Sequence, residues 1–423
     1  MEMSSKMQKN PSIRFKGFTD DWEQRKLEED ISVVGGATPS KSNPEYWNGS
    51  IVWLSSQEIK EKYVSKGTYT ITKKAVDDNT TKMVKAGTPL IVSRSGILAR
   101  LFPISIPTTD VAINQDIKAL IFDPNIINTN FFVAQLQKNE DFILRSIVKT
   151  GTTVQSINMP DFYKLQLSFP STDEQEKVGK FFQRLDDTIA LHQRQLENYK
   201  ELKKLMLQKI FNRELCFKDE NGNDYPEWEE IALKELGETF TGLSGKTKEN
   251  FGKGKGKFVT YMNVFSNPIA NLAMTENVEI KDGEKQNEVC YGDIFFTTSS
   301  ETPDEVGMSS VWLSHESNVY LNSFCFGYRL NSESESKVIS QFLGAQLRAE
   351  HIRKEIVLLA QGSTRFNISK AKLIEIPLYL PVIQEQQKIA DFLSMLDVRI
   401  EQLSQKVELL KEQKKGLMQK MFV

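Results

Sequence analysis

One internal repeat constrains this 423-residue chain more than anything else in it. Residues 172–186 read TDEQEKVGKFFQRLD, and residues 383–397 read IQEQQKIADFLSMLD. A constant offset of 211 residues pairs Gly151 with Gly362, Thr153 with Thr364, Ile157 with Ile368 and Pro170 with Pro381. The same offset pairs Gln175 with Gln386, Phe181 with Phe392, Asp186 with Asp397 and Phe211 with Phe422. A period this long is far outside the range of solenoids and propellers, whose units run to about 50 residues. Two large units are implied, each a globule followed by a helix.

The helices carry the strongest periodic signal. Apolar residues fall at Ile389, Phe392 or Leu393, Leu396, Ile400, Leu403, Val407, Leu410, Leu417 and Met421. The first copy repeats the pattern at Val178, Phe182, Leu185, Ile189, His192, Leu196, Tyr199, Met206 and Ile210. Alternating steps of three and four mark a coiled-coil seam. A helix of about 39 residues is roughly 58 Å long at 1.5 Å per residue, and a single seam of that length needs a partner. Two separate helices, each lying on its own globule, are the alternative. Mutual packing through Leu185, Ile189, Leu196 and Tyr199 against Leu396, Ile400, Leu403, Val407 and Leu410 explains the matched seams better. If the globules sit at opposite ends, the helices run antiparallel and the molecule acquires a pseudo-twofold axis. Dimeric DNA readers match the symmetry of a duplex in this way.

The globules read as mixed α/β. Short apolar runs bounded by Gly, Pro, Ser or Asn predict strands at Ile51–Trp53, Pro89–Val92 and Ala119–Phe122, with part of a helix at Phe131–Leu136. The second stretch predicts strands at Phe258–Met262, Ile294–Thr297 and Phe324–Leu330, and a helix over Val338–Ile356. The openings at 15–27 and 217–233 make Trp22 and Trp228 equivalent anchors.

Composition excludes some classes of protein. Hydrophobic content of 39% and charge of 26% suit globules with real cores. No apolar stretch approaches the eighteen or so residues needed to span a bilayer, and the N-terminus does not read as a signal peptide. Three cysteines, Cys216, Cys290 and Cys325, lack metal-ligand spacing, which suits a reducing cytoplasm. A net charge of −2 does not advertise a nucleic-acid binder, although local patches rather than totals make such contacts.

The openings (RF-x-x-F…W-x-x-x-x-L), the Gly-Thr-Thr and Gly-Ser-Thr loops, and the Pro-x-x-x-Glu-Gln starts of both helices (Pro170–Gln175, Pro381–Gln386) resemble the specificity subunit of type I restriction–modification enzymes. The resemblance covers nearly the whole chain. It implies a mixed α/β (α+β) fold with two globular target recognition domains, 1–170 and 214–381, separated by two long antiparallel coiled-coil helices, 171–213 and 382–423. Each domain would read one half of a bipartite site on double-stranded DNA. The helices would set the gap between half-sites and dock two methyltransferase subunits, through which restriction and translocase subunits join. The chain would bind no cofactor or metal itself; S-adenosylmethionine, ATP and Mg are expected on the partner subunits, and no membrane is involved.

Catalytic constellations are missing from the sequence. An adenine methyltransferase of the resembling class would carry Asn/Asp-Pro-Pro-aromatic, and no Pro-Pro pair occurs. TGLSGKT at 241–247 fails as a phosphate loop because Phe240 stands where the first glycine belongs. Pro303-Asp304 with Glu335-Ser336-Lys337 has nuclease-like spacing, but its second part lies in a polar Ser/Glu run. His192, His315 and His351 form no cluster with acids or cysteines. A stand-alone DNA-modifying or DNA-cleaving enzyme with a divergent site is the alternative reading.

Bases are read by donors and acceptors in the major groove. The candidate DNA-binding side chains are Ser93, Arg94, Ser95, Lys149, Thr150, Thr152, Thr153 and Gln155 in the first stretch. In the second they are Thr297, Thr298, Ser299, Gln361, Ser363, Thr364, Arg365 and Asn367. The glycine-threonine loops have a structural alternative, a turn whose hydroxyls cap it. Gln155, Arg365 and Asn367 differ between the copies, as base-reading residues of two different half-sites should. Lys246, Lys248, Lys253 and Lys255, with Lys257, fit contact with backbone phosphates, the alternative being a solvated disordered loop. The purified chain alone should transfer no methyl group to DNA and cut none. Methyl-transfer and cleavage assays without a second subunit check this, and detectable methylation would overturn the non-catalytic reading.

Overall fold

The computed structural model describes residues 10–149, 154–362 and 364–423. Two helices dominate it, Thr172–Phe211 and Ile383–Met421. A proline stands shortly before each helix and none interrupts either one. Acidic residues occupy both first turns, Asp173 and Glu174 in one and Glu385 in the other, where the positive end of the helix dipole favours them. Arg213, in the left-handed conformation at φ 63°, follows the first helix.

The chain forms two compact units, one of residues 1–194 with 403–423, the other of residues 195–402. Each unit therefore holds a globule, the segment of helix that follows or precedes it, and a segment of the other long helix. In the first unit Asp186 pairs with Lys414 at 2.6 Å. In the second the repeat-equivalent residues exchange helices, and Asp397 pairs with Lys203. The two helices run antiparallel within each unit.

The first globule contains a five-stranded sheet in the order Ser32–Gly35, Ile117–Ile121, Leu90–Val92, Ile104–Pro107, Tyr63–Val64. A four-stranded sheet runs Tyr69–Ile71, Trp47–Leu54, Val111–Ile113, Met83–Val84. The second globule has a four-stranded sheet, Gly237–Thr241, Cys325–Leu330, Ile294–Thr297, Ser309–Val311. Its three-stranded sheet is Thr275–Val278, Phe251–Val259, Val319–Leu321. Both globules are closed by the same antiparallel clasp between opening and exit. Glu23–Lys26 pairs with Gln166–Phe169 in one, and Glu229–Ala232 with Pro377–Leu380 in the other.

Two predicted elements differ from the structure. The strand expected at Phe258–Met262 stops at Val259, because Thr260 caps a helix, Tyr261–Ser266, by accepting a hydrogen bond from Asn263 N. The helix expected over Val338–Ile356 is two, Ser340–Leu347 and Glu350–Leu358. Between them Ala349 is extended, and the Arg348 guanidinium donates to the carbonyls of Ser309, Val264, Phe265 and Asn267. Those acceptors lie 39 to 84 residues away in sequence, beyond the reach of periodicity.

The cores repeat as well. Trp22, Phe131 and Phe422 form one aromatic triad, with centroids 5.4–6.2 Å apart. Trp228, Phe342 and Phe211 form its counterpart at 5.6–6.1 Å. Phe422 comes from the end of the second helix and stacks on Phe182 of the first at 5.5 Å. Leu185 and Ile189 with Leu403, Val407 and Leu410, and Leu196 and Tyr199 with Leu396 and Ile400, are buried or half-buried within their respective units. Gly179 fits where a Cβ would lie 2.4 Å from the Asn128 side chain that caps Thr129–Lys138.

Removing the Phe422 ring leaves a cavity bounded by Trp22, Phe131 and Phe182. Phe422→Ala should destabilise the first unit by about 3–5 kcal/mol. Urea unfolding measures the loss, and hydrogen exchange should place it in residues 10–194 and 403–423.

Candidate nucleic-acid interface

The glutamate-glutamine pair that opens each long helix fastens helix to globule. Gln175 Nε2 donates to the carbonyls of Ile126 and Pro170, and its Oε1 accepts from Asn128 N. Gln386 repeats this with the carbonyls of Lys337 and Pro381 and with Ile339 N. Glu174, 1% exposed, takes a bidentate bond from Arg14 at 2.7 Å. Glu385, equally buried, accepts from Trp228 Nε1 at 3.0 Å and faces Arg213. Burial pushes the Glu385 carboxyl above its ordinary range, against these two partners. The motif is structural: it ties the start of each long helix to residues 126–128 in the first globule and 337–339 in the second.

Two candidate segments of the first globule come together. Ile157 N donates to Ser93 O at 2.9 Å, Ser95 N donates to Gln155 O at 3.0 Å, and Arg94 bridges to Ser156. Lys149 pairs with Ser156 in a short ribbon. The second globule builds the same ladder: Ile368 N donates to Thr298 O at 3.0 Å, Ser299 pairs with Asn367, and Gln361 bridges to Asn367. The residues at corresponding places on the two ladders differ in kind.

Exposure sorts the candidates. Arg94, Lys149, Gln361, Thr364, Arg365 and Asn367 are exposed, while Ser95, Gln155 and Thr298 are partly so. Thr150, Thr152, Thr153 and Ser363 lie outside the described residues. Three hydroxyl residues face inward, contrary to their expected reach toward bases. Ser93 Oγ donates to Asp116 O, Ser299 is 7% exposed, and Thr297 is fully buried with its hydroxyl accepting from Met308 N.

The lysine-rich segment is ordered. Phe251–Val259 is a strand with a bulge, and a Cβ at Gly254 would sit 2.6 Å from Val278 O. Lys246 differs from expectation: its side chain is 4% exposed and bonds to Glu284 and to Glu279 O at 2.6 Å. That pairing, with further hydrogen bonds, holds the Glu284 carboxyl down at about 2. Lys253 is paired with Glu279 at 3.2 Å and Lys257 with Glu316 at 2.9 Å. Lys248 and Lys255 are exposed and have no ion-pair partner among the described residues.

Among the described residues, no group of three or more His, Cys, Asp or Glu is placed to hold a metal ion. No described helix is long and apolar enough to cross a membrane. Asp304 and Glu335 lie in exposed turns.

A doubled globule-and-helix plan with a doubled loop ladder defines a protein built to present two similar surfaces. The family model for the type I restriction modification DNA specificity domain matches twice, at residues 19–201 and 225–412, and the chain belongs to that family. It is similar to the EcoR124I/EcoR124II specificity subunit of Escherichia coli, 32% identical over 202 residues, covering 45% of this chain and 49% of that one. It is also similar to the MjaVIII specificity subunit of Methanocaldococcus jannaschii, 23% identical over 431 residues, covering 94% and 91%. The match thus spans about half of the Escherichia coli relative and nearly all of MjaVIII. The crystal structure of a type I S subunit from M. genitalium shares the fold, with a TM-score of 0.62 at 16% identity over 98% of this chain and 99% of that one.

Thr297→Val keeps the shape of the side chain and removes the acceptor of Met308 N. It should cost about 1–3 kcal/mol of stability, read by urea unfolding as a lower midpoint.

Proposed function

We propose that this chain is the non-catalytic reading and assembly subunit of a type I restriction–modification complex in the cytoplasm. Residues 1–170 and 214–381 each read one half of a bipartite site on double-stranded DNA. The helices of 171–213 and 382–423 set the spacer and dock two methyltransferase subunits, through which restriction and translocase subunits join. S-adenosylmethionine, ATP and Mg belong to those partners.

The observation that carries this reading is the doubled loop ladder, alike in backbone and unlike in exposed side chains. Arg94 and Gln155 stand on one copy, Arg365 and Asn367 on the other. Arginine suits a bidentate contact to guanine and the amides suit adenine, each such pair being worth about 1–3 kcal/mol of discrimination. Of the lysines, Lys248 and Lys255 are offered as phosphate contacts, since Lys246 and Lys253 are held by carboxylates.

Exchanging residues 214–381 for the matching stretch of a relative should change one half of the methylated motif and leave the other half intact. The readout is the methylated motif in DNA from cells that express the chimera with its methyltransferase subunit. A change in both halves together would defeat independent reading by the two globules.

A further inference from the structure

Lys200, Lys203 and Lys204 on the first long helix recur at the 211-residue offset as Lys411, Lys414 and Lys415 on the second. Each Lys-x-x-Lys-Lys set borders a cavity of its own unit, about 310 Å³ in the second and about 470 Å³ in the first. In the second unit the opposite wall carries Arg348 and Arg353, and the lining holds a single carboxylate, Asp397, engaged with Lys203. In the first unit Lys60, Lys62 and Lys138 join the helix lysines. There Asp186 takes up Lys62 and Lys414, and Glu140 is committed to Phe102 N, with Asp141 as the remaining acid. Cations outnumber carboxylates in both places.

In the second niche the two arginines are held by carbonyls alone, whereas Lys62, Lys203 and Lys414 have carboxylate partners and Lys138 donates to Val423 O. Arg353 donates to the carbonyls of Gly307, Asp304 and Val306, as Arg348 donates to four others. Burial, with each guanidinium's charge against the other, pushes Arg348 down to about 10. Burial also lowers Arg353 and Lys138. Desolvated positive charge held by neutral dipoles is a state that an anion relieves.

Both cavities abut the loop ladders. Met308 lines the second and donates its N–H to Thr297, while Gly307, held by Arg353, donates to Thr297 O at 3.2 Å. Leu101 and Phe102 line the first, at the end of the turn that starts from Ser95. The segment leaving each ladder passes through a short 3-10 turn and then contributes to the cavity lining.

We propose that these two basic niches seat backbone phosphates of the DNA that the adjoining ladders read, fixing its register without reading bases. The proposal rests on the function argued above. A niche whose lining adjoins a ladder fits the backbone of the nucleic acid which that ladder reads. Lys204 and Lys415 are the phosphate-contacting residues furthest from any structural role. They are exposed and form no ion pair among the described residues, unlike Lys203 and Lys414.

The test uses the full chain in complex with its methyltransferase subunits and two duplexes, one with the methylated motif and one scrambled. Each lysine that neutralises a phosphate adds about 0.9 to the slope of log K against log salt. Lys204→Gln and Lys415→Gln should each flatten that slope by about 0.9 and weaken both duplexes alike, roughly fivefold near 0.15 M salt. The methylated motif should stay the same, and Lys204→Arg and Lys415→Arg should restore the slope. Lys406→Gln, on the second helix with Lys415 but outside the niche, should leave the slope unchanged. An unaltered slope in the niche variants, with target discrimination intact, overturns the phosphate seats and leaves the proposed function standing. So does an equal effect from Lys406→Gln. Loss of methyltransferase recovery with an unaltered slope would make the niches protein-docking sites and likewise overturn the proposal. Failure of the wild-type complex to discriminate target from scrambled DNA would instead bring down the proposed function, and this inference with it.

Discussion

A phenylalanine at the end of each long helix, buried against a tryptophan and another phenylalanine, closes each unit. Phe422 with Trp22 and Phe131 does so in the first unit, Phe211 with Trp228 and Phe342 in the second. Aromatic side chains bury 150–250 Å² each, so a triad of this kind outweighs the ion pairs along the seam. Because Phe422 and the core around Trp22 lie hundreds of residues apart, the first core is complete only once the second helix has formed. The antiparallel course of the helices within each unit follows, and Asp186–Lys414 with Asp397–Lys203 registers it.

Much of this was legible in the sequence, for one physical reason. Residues that pack at a fixed period along one element leave that period in the chain. The two seams, the 211-residue offset and the equivalence of Trp22 with Trp228 all come from such packing. The break at Arg348–Ala349 left no trace, because it depends on a guanidinium meeting carbonyls from a distant loop. Lysine composition misled in the same way: Lys246 reads as a solvated charge until Glu284 is found 38 residues away. The inward-facing Thr297 and the outward-facing Asn367 are indistinguishable as polar letters. Thr297 ends a strand flanked on both sides, by Ser309–Val311 and Cys325–Leu330, whereas Asn367 lies on a two-residue strand paired with Ser299–Ser300.

What repeats and what varies divide along a physical line. The Glu–Gln pair satisfies buried donors and acceptors at the start of each helix, where an unmet partner costs about 1–3 kcal/mol. That chemistry allows little freedom, and the pair is identical in both copies. The exposed rungs of the ladders carry no such debt to the interior. Gln155 and Asn367 stand where the backbone is already held by its neighbours, although the Asn367 side chain also donates to Arg365 O at 3.3 Å.

The clasp has a consequence for how change can accumulate. Glu23–Lys26 against Gln166–Phe169, and Glu229–Ala232 against Pro377–Leu380, bring the two ends of each globule to within the roughly 4.8 Å spacing of a β-ladder. Everything between is a closed excursion that leaves and returns at one point beside its helix. Lengthening, shortening or rebuilding that excursion does not move the point of return. Mechanically, the clasp fixes where the chain enters and leaves each globule, and Gln175 and Gln386 tie the start of each helix to a loop inside the excursion.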